Sequence, residues 1–145
     1  MTNNYAIIFR NKSSIYYVVR FFPCAGLQDF SAVRNLKEMF YESITPTQLA
    51  ERLKNKEDFK FIDVREPQEY AVARIDAAEL LPLTRFNEWI DTLKPEEEIV
   101  VMCHHGIRSA NVCMFLVRNG FEKVFNLEGG IDSWSLEVDE TTPRY

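Results

Sequence analysis

The chain has 145 residues, 46% of them hydrophobic and 27% charged, and a formal net charge of −5. That length serves one buried core and is short for two, and the charge balance argues against nucleic-acid recognition, which needs clustered Lys and Arg. Three cysteines, Cys24, Cys103 and Cys113, form an odd number without CxxC spacing, so neither a disulfide framework nor a zinc site is suggested and a reducing, cytoplasmic setting is expected.

The first forty residues differ in kind from the rest. They hold Arg10, Lys12, Arg20, Arg34 and Lys37 against Asp29 and Glu38, or +3, whereas residues 41–145 carry 12 positive and 20 negative charges, or −8. Apolar runs from Tyr5 to Phe9 and from Ile15 to Phe22 flank Asn11-Lys12-Ser13-Ser14, and neither approaches the length of a membrane span. Three readings stand for this segment: an appended β-hairpin, an acid-poor targeting segment that the low serine content weakens, and a poorly structured leader. We carry forward an appendage over residues 1–40 of uncertain order, with Cys24 given no chemistry and the domain proper at residues 41–145.

From Ile44 the punctuation becomes regular. Thr45-Pro46-Thr47-Gln48 places a hydroxyl at an N-cap, proline at the first helical position and glutamine three residues after the cap, which predicts a helix to about Lys54. Phe59 to Val64 reads as a strand carrying the acidic Asp63 at its end, and Pro67-Gln68-Glu69-Tyr70 opens a short helix. Glu79-Leu80-Leu81 forms a short strand before Pro82, and Phe86 to Leu93 puts Trp89, Ile90 and Leu93 on one helical face. Pro95 with Glu96, Glu97 and Glu98 is a solvated turn, followed by the strand Ile99 to Met102.

After the loop that Cys103 opens, Ala110 to Asn119 has apolar residues at 112, 113, 116 and 117, the spacing of one helix face, and Gly120 stops it. Lys123 to Leu127 is a last strand. Strands alternating with helices predict an α/β domain with a central, mainly parallel sheet covered by helices on both faces. In such sheets ligands bind beyond the carboxyl ends of the strands, where Asp63 and Cys103 both fall.

Cys103 therefore sits between a strand and a helix, where unpaired backbone N–H groups and the positive end of the helix dipole converge. Both favour the thiolate, which is the nucleophilic form. The competing reading is a small apolar residue closing a core strand. Gly106 and Arg108 favour the first: the glycine lets the loop turn its N–H groups inward as an anion nest, and the arginine adds positive charge.

Three ordered motifs now carry a resemblance. Asp63-Val64-Arg65-Glu66-Pro67-Gln68-Glu69-Tyr70 resembles the first signature of rhodanese-like domains, Cys103-His104-His105-Gly106-Ile107-Arg108-Ser109 resembles their active loop, and Gly129-Gly130-Ile131-Asp132-Ser133-Trp134 their closing Gly-Gly…Trp motif. The resemblance covers about residues 42–145 and implies the rhodanese-like fold, with Cys103 accepting a sulfane sulfur from a donor such as thiosulfate. The persulfide would then pass its sulfur to cyanide in an assay, or to a thiol or protein in the cell. No cofactor is implied. Where relatives commonly read Gly-His-Ile, this chain has Ala73-Arg74-Ile75, followed by Asp76 in place of a frequent proline, which leaves any substrate contact there open.

Within this frame the backbone N–H groups of residues 104 to 109 would hold the charged sulfur, and Arg108 would either steer an anionic donor or stand as a solvated rim charge. His104 and His105, the two histidines, would fill the loop or its rim, since a metal site built from them would lack further ligands. Asp63 and Arg65 are expected to pair and orient loops, Glu69 to partner Arg65, Trp134 to pack over the sheet edge as core before pocket wall, and Cys113 to be core. A cysteine phosphatase would need arginine six positions after the cysteine, and Ser109 stands there. Two further readings are a docking module that keeps the fold without transferring sulfur, and a carrier in a relay with a protein donor or sulfur-carrier acceptor.

Overall fold

Residues 99 to 103 alternate between two cores. Ile99, Val101 and Cys103 join one buried cluster, and Val100 and Met102 join the other. Such alternation is what a central strand buried on both faces requires. In this computed structural model the described residues are 6–9, 17–20 and 40–145.

The chain divides into two compact units, residues 1–30 and 31–145. In the first, β1 (Ala6–Phe9) and β2 (Tyr17–Arg20) pair antiparallel, with Ala6 opposite Arg20 and Phe9 opposite Tyr17. The other features expected of residues 1–40, Cys24 among them, lie outside the described residues.

The second unit runs β3 (Glu42–Ile44), α1 (Pro46–Lys54), β4 (Lys60–Asp63), α2 (Pro67–Val72), β5 (Glu79–Leu80), α3 (Phe86–Trp89), β6 (Glu98–Met102), α4 (Ile107–Arg118), β7 (Lys123–Leu127) and α5 (Gly130–Glu137). Five strands form one parallel sheet in the order β3-β7-β6-β4-β5. One face is packed by Trp89, Leu93, Val112, Cys113 and Leu116, the other by Leu49, Ile75, Ile131 and Trp134, so helices cover both sides. The fold class is therefore the expected one.

The Thr45 capping box forms as predicted: its hydroxyl accepts from the Gln48 N–H at 3.2 Å and the Gln48 side chain accepts from the Thr45 N–H at 3.0 Å. Other local expectations need correction. Glu98 belongs to β6 rather than to the preceding turn, and its carboxylate pairs with Arg52 of α1. Strand β3 was not anticipated, because three residues with one buried side chain give no period and its partner β7 is remote in sequence. Helix α5 was hidden by Gly129-Gly130, which reads as a breaker. Helix α4 begins at Ile107 rather than Ala110, so Arg108 and Ser109 stand on its first turn and the loop proper is shorter than expected.

Candidate active site

Strand β6 delivers Cys103 to the carboxyl edge of the sheet with only 1% of its surface exposed. Gly106, at φ +88°, turns the chain straight into α4. The Gly106 N–H consequently donates to Cys103 Sγ at 3.1 Å, and the Ser109 hydroxyl donates to it at 3.3 Å. The sulfur thus meets two donors beside a helix start, an arrangement suited to negative charge.

The loop is held from behind by two elements. The N–H groups of Ile131 and Asp132, in the first turn of α5, donate to the carbonyls of Cys103 and His104 at 3.0 and 3.2 Å. A Cβ on Gly130 would come within 2.3 Å of the Cys103 carbonyl oxygen, so the second glycine of the Gly-Gly motif is a spatial requirement. From β7, the buried Asn126 donates through Nδ2 to the Gly106 carbonyl at 3.1 Å. Sequence reasoning missed Asn126; a polar residue two places before Glu128 in an otherwise apolar strand end was the available signal.

Asp63 and Arg65 pair as expected, both with no exposed surface. The Arg65 guanidinium donates to both Asp63 oxygens, at 2.6 and 3.0 Å, to the Ala73 carbonyl at 2.8 Å and to the Tyr145 hydroxyl at 2.8 Å. The expected Arg65–Glu69 pair does not form. Glu69 instead receives Arg108 in a two-pronged ion pair at 2.7 and 2.6 Å, and the Tyr145 hydroxyl at 3.1 Å. The Arg108 hydrogen bonds hold the Glu69 carboxyl down to about 2. Arg108 is therefore a paired charge on a side chain that is still about one-third exposed (36%).

His104 and His105 form the rim, their rings stacked 3.8 Å apart, and the Tyr145 ring also stacks on His104 at 4.1 Å. Burial, with His105 alongside, lowers the His104 pKa from its ordinary value. A third ligand atom does stand near them, contrary to expectation: His104, His105 and Asp132 bring their ligand atoms within 4.8 Å of one another. Arg144 occupies both Asp132 oxygens at 2.8 and 3.2 Å, so this group is already committed to an ion pair and a ring stack.

Ile107 is 74% exposed beside the loop. Trp134 lies in the core cluster with Val100 and Met102, on the sheet face opposite the one that Cys103 joins, so its core reading describes it and the pocket wall does not. Cys113 is buried among the residues beneath α4, where desolvation raises its thiol pKa. Arg74 pairs with Asp76 at 2.9 Å, and both line a groove with Tyr70, Asp139 and Thr141 that no loop residue reaches.

A family model of the rhodanese-like domain matches residues 45–137. Rhodanese-like/PpiC domain-containing protein 12, chloroplastic, of Arabidopsis thaliana is 38% identical over 93 residues, covering 61% of this chain and 31% of that protein. Thiosulfate sulfurtransferase GlpE of Actinobacillus pleuropneumoniae is 35% identical over 99 residues, covering 68% of this chain and 90% of that protein. The chain thus spans under a third of the plant relative's length and nine tenths of the bacterial one's. The crystal structure of a rhodanese-related protein from Thermoplasma volcanium matches with a TM-score of 0.58 at 34% identity, over 71% of this chain and 96% of that one.

Proposed function

The chain belongs to the rhodanese-like domain family, and we propose on that ground that it is a sulfurtransferase whose carrier is Cys103. The observation that carries this reading is the cradle of the sulfur: a buried thiol meeting the Gly106 N–H and the Ser109 hydroxyl at the start of α4. In the half-reaction with thiosulfate, the Cys103 thiolate attacks the sulfane sulfur and a new S–S bond forms. The old S–S bond breaks and sulfite leaves with its electron pair. The persulfide keeps one negative charge, now on its outer sulfur, beside the start of α4, whose positive dipole end favours an anion. A thiophilic acceptor then takes the outer sulfur and regenerates the thiolate.

The names of curated relatives at 29% to 35% identity, thiosulfate sulfurtransferases, support the reaction class. A phosphatase reading is disfavoured because Ser109 occupies the position that family gives to arginine, and Arg108 is turned to Glu69. A purely docking role would not need the two donors aimed at the sulfur. Residues 41–145 are taken as the working unit, residues 1–40 as an appendage, the donor as a small sulfane-sulfur compound or a protein persulfide, and the setting as cytoplasmic. Among the described residues no helix is long and apolar enough to cross a membrane.

Incubation with a sulfane-sulfur donor is expected to add the mass of one sulfur atom, removable by cyanide or dithiothreitol. Cys103→Ser should abolish the adduct, and Cys113→Ser and Cys24→Ser should leave it. Wild-type protein that stays unmodified by every donor, with no thiocyanate formed, would return the chain to the docking reading.

A further inference from the structure

Resting on the sulfur-transfer reading, we propose that Glu69 is a specificity-determining residue: by cancelling Arg108 it turns the site away from dianionic donors and toward organic persulfides. The starting observation is the pairing of the three arginines that hydrogen bonds and ring contacts join to the loop. Arg108 gives both terminal nitrogens to the two Glu69 oxygens. Arg65 is spent on Asp63, the Ala73 carbonyl and the Tyr145 hydroxyl, beneath the surface. Arg144 takes both oxygens of Asp132. Among the described residues joined to the loop by these contacts, every arginine has its carboxylate.

The chemistry of the donor decides what that pairing means. Thiosulfate brings two negative charges to a third on the Cys103 thiolate, and the leaving sulfite keeps two. The Gly106 N–H and the Ser109 hydroxyl are aimed at Sγ and hold the thiolate's one charge. A free guanidinium would compensate the sulfonate end, and Arg108 stands on the first turn of α4, directly after the Cys103 loop, with its guanidinium held by Glu69. With Glu69 ionised and bound, that compensation is withdrawn.

An organic persulfide asks for less. The Cys103 thiolate attacks the outer sulfur of RS–SH, the new S–S bond forms, the RS–S bond breaks, and RS− leaves to take a proton from solvent. Only one negative charge is present at the reacting atoms throughout. The stacked rings of His104, His105 and Tyr145, with the exposed Ile107 beside them, offer an organic R group surface that sulfonate oxygens cannot use.

The test compares kcat/KM for thiosulfate and for glutathione persulfide, with the same acceptor and the full chain. The wild type is expected to favour glutathione persulfide by about tenfold or more. Glu69→Gln should raise kcat/KM for thiosulfate about 3- to 10-fold, leave glutathione persulfide within about twofold, and lose its gain as salt is added. The double variant Glu69→Gln/Arg108→Gln, neutral like the native pair, should keep the wild-type donor ratio; Arg108→Gln alone, which leaves the Glu69 anion without its partner, should lower kcat/KM for thiosulfate about 3- to 10-fold and carries the test if Glu69→Gln misfolds. A wild type that favours thiosulfate, or a Glu69→Gln that lowers both donors alike, overturns the proposal. Failure of both donors to load Cys103 in the wild type instead overturns the sulfur-transfer reading itself.

Discussion

Gly130 and Cys103 are locked together by space: the position where a side chain on Gly130 would begin is 2.3 Å from the Cys103 carbonyl oxygen. Gly130→Ala must push the active loop away from α5 or distort a residue at φ +59°. We expect a loss of about 1–3 kcal/mol in urea-unfolding stability and at least a tenfold fall in the rate of persulfide formation. Native activity in a folded Gly130→Ala would show that the loop does not depend on this contact.

Asn126 fixes the loop from the other side. Asn126→Ala removes the side-chain donor to the Gly106 carbonyl, which keeps the Ala110 N–H of α4, for an expected cost of about 0.5–1.5 kcal/mol. Because Gly106 also supplies the N–H on the Cys103 sulfur, loading by a sulfane donor should slow about tenfold in stopped-flow traces. A variant equally destabilised at Leu49 of α1, which has no hydrogen bond to the loop, serves as the control and should load at the native rate.

The Asp63–Arg65 pair is wholly buried. Asp63→Ala leaves a guanidinium without its counter-charge, and we expect about 3–5 kcal/mol of lost stability by denaturant titration. Replacing both partners with apolar residues of similar size should recover most of that loss. If the single variant melts like the wild type, the pair is not holding β4 and the loops after it.

Glu69 gives a pH signature. Its carboxyl falls from the ordinary 4.5 to about 2 in the folded protein, chiefly through the Arg108 hydrogen bonds. A depressed folded pKa means that the ionised form is favoured in the native state. The stabilisation is fully present above pH 4.5 and is lost as pH falls from there through about 2. The stability difference between wild type and Glu69→Gln should therefore be flat from neutral pH down to about 5 and shrink below it. A constant difference down to pH 2 would refute the pairing in solution.

Deletion of residues 1–40 leaves β3 and everything after it in the chain. The shortened protein is expected to fold with an unchanged circular dichroism melt within about 3 °C and to keep its transfer rate within about twofold. A folded truncation without activity would place part of the appendage in the site.

The loop geometry was legible in the sequence because it is local. The apolar run 99–102, the cysteine, the glycine and the following helix face lie within twenty residues, and their order alone sets the thiol at a strand end. Pairings across the chain were not legible. Arg108 and Glu69 are separated by 39 residues, and no periodic rule joins them. The expected Arg65–Glu69 pair borrowed the i,i+4 rule of helices, yet Arg65 precedes Pro67, where α2 begins, so the two side chains do not share a helix face. Tyr145 gave no signal at all, since its partners Arg65, Glu69 and His104 meet it only through the fold.

The order β3-β7-β6-β4-β5 leaves β6 with a paired neighbour on each side and a hydrophobic cluster on each face. Amides of such a strand exchange with solvent only when the entire unit opens. The Cys103 sulfur is thus mounted at the end of the last segment to come apart, and loss of persulfide formation on heating should coincide with global melting instead of preceding it by loop fraying. A site of this build is lost all at once.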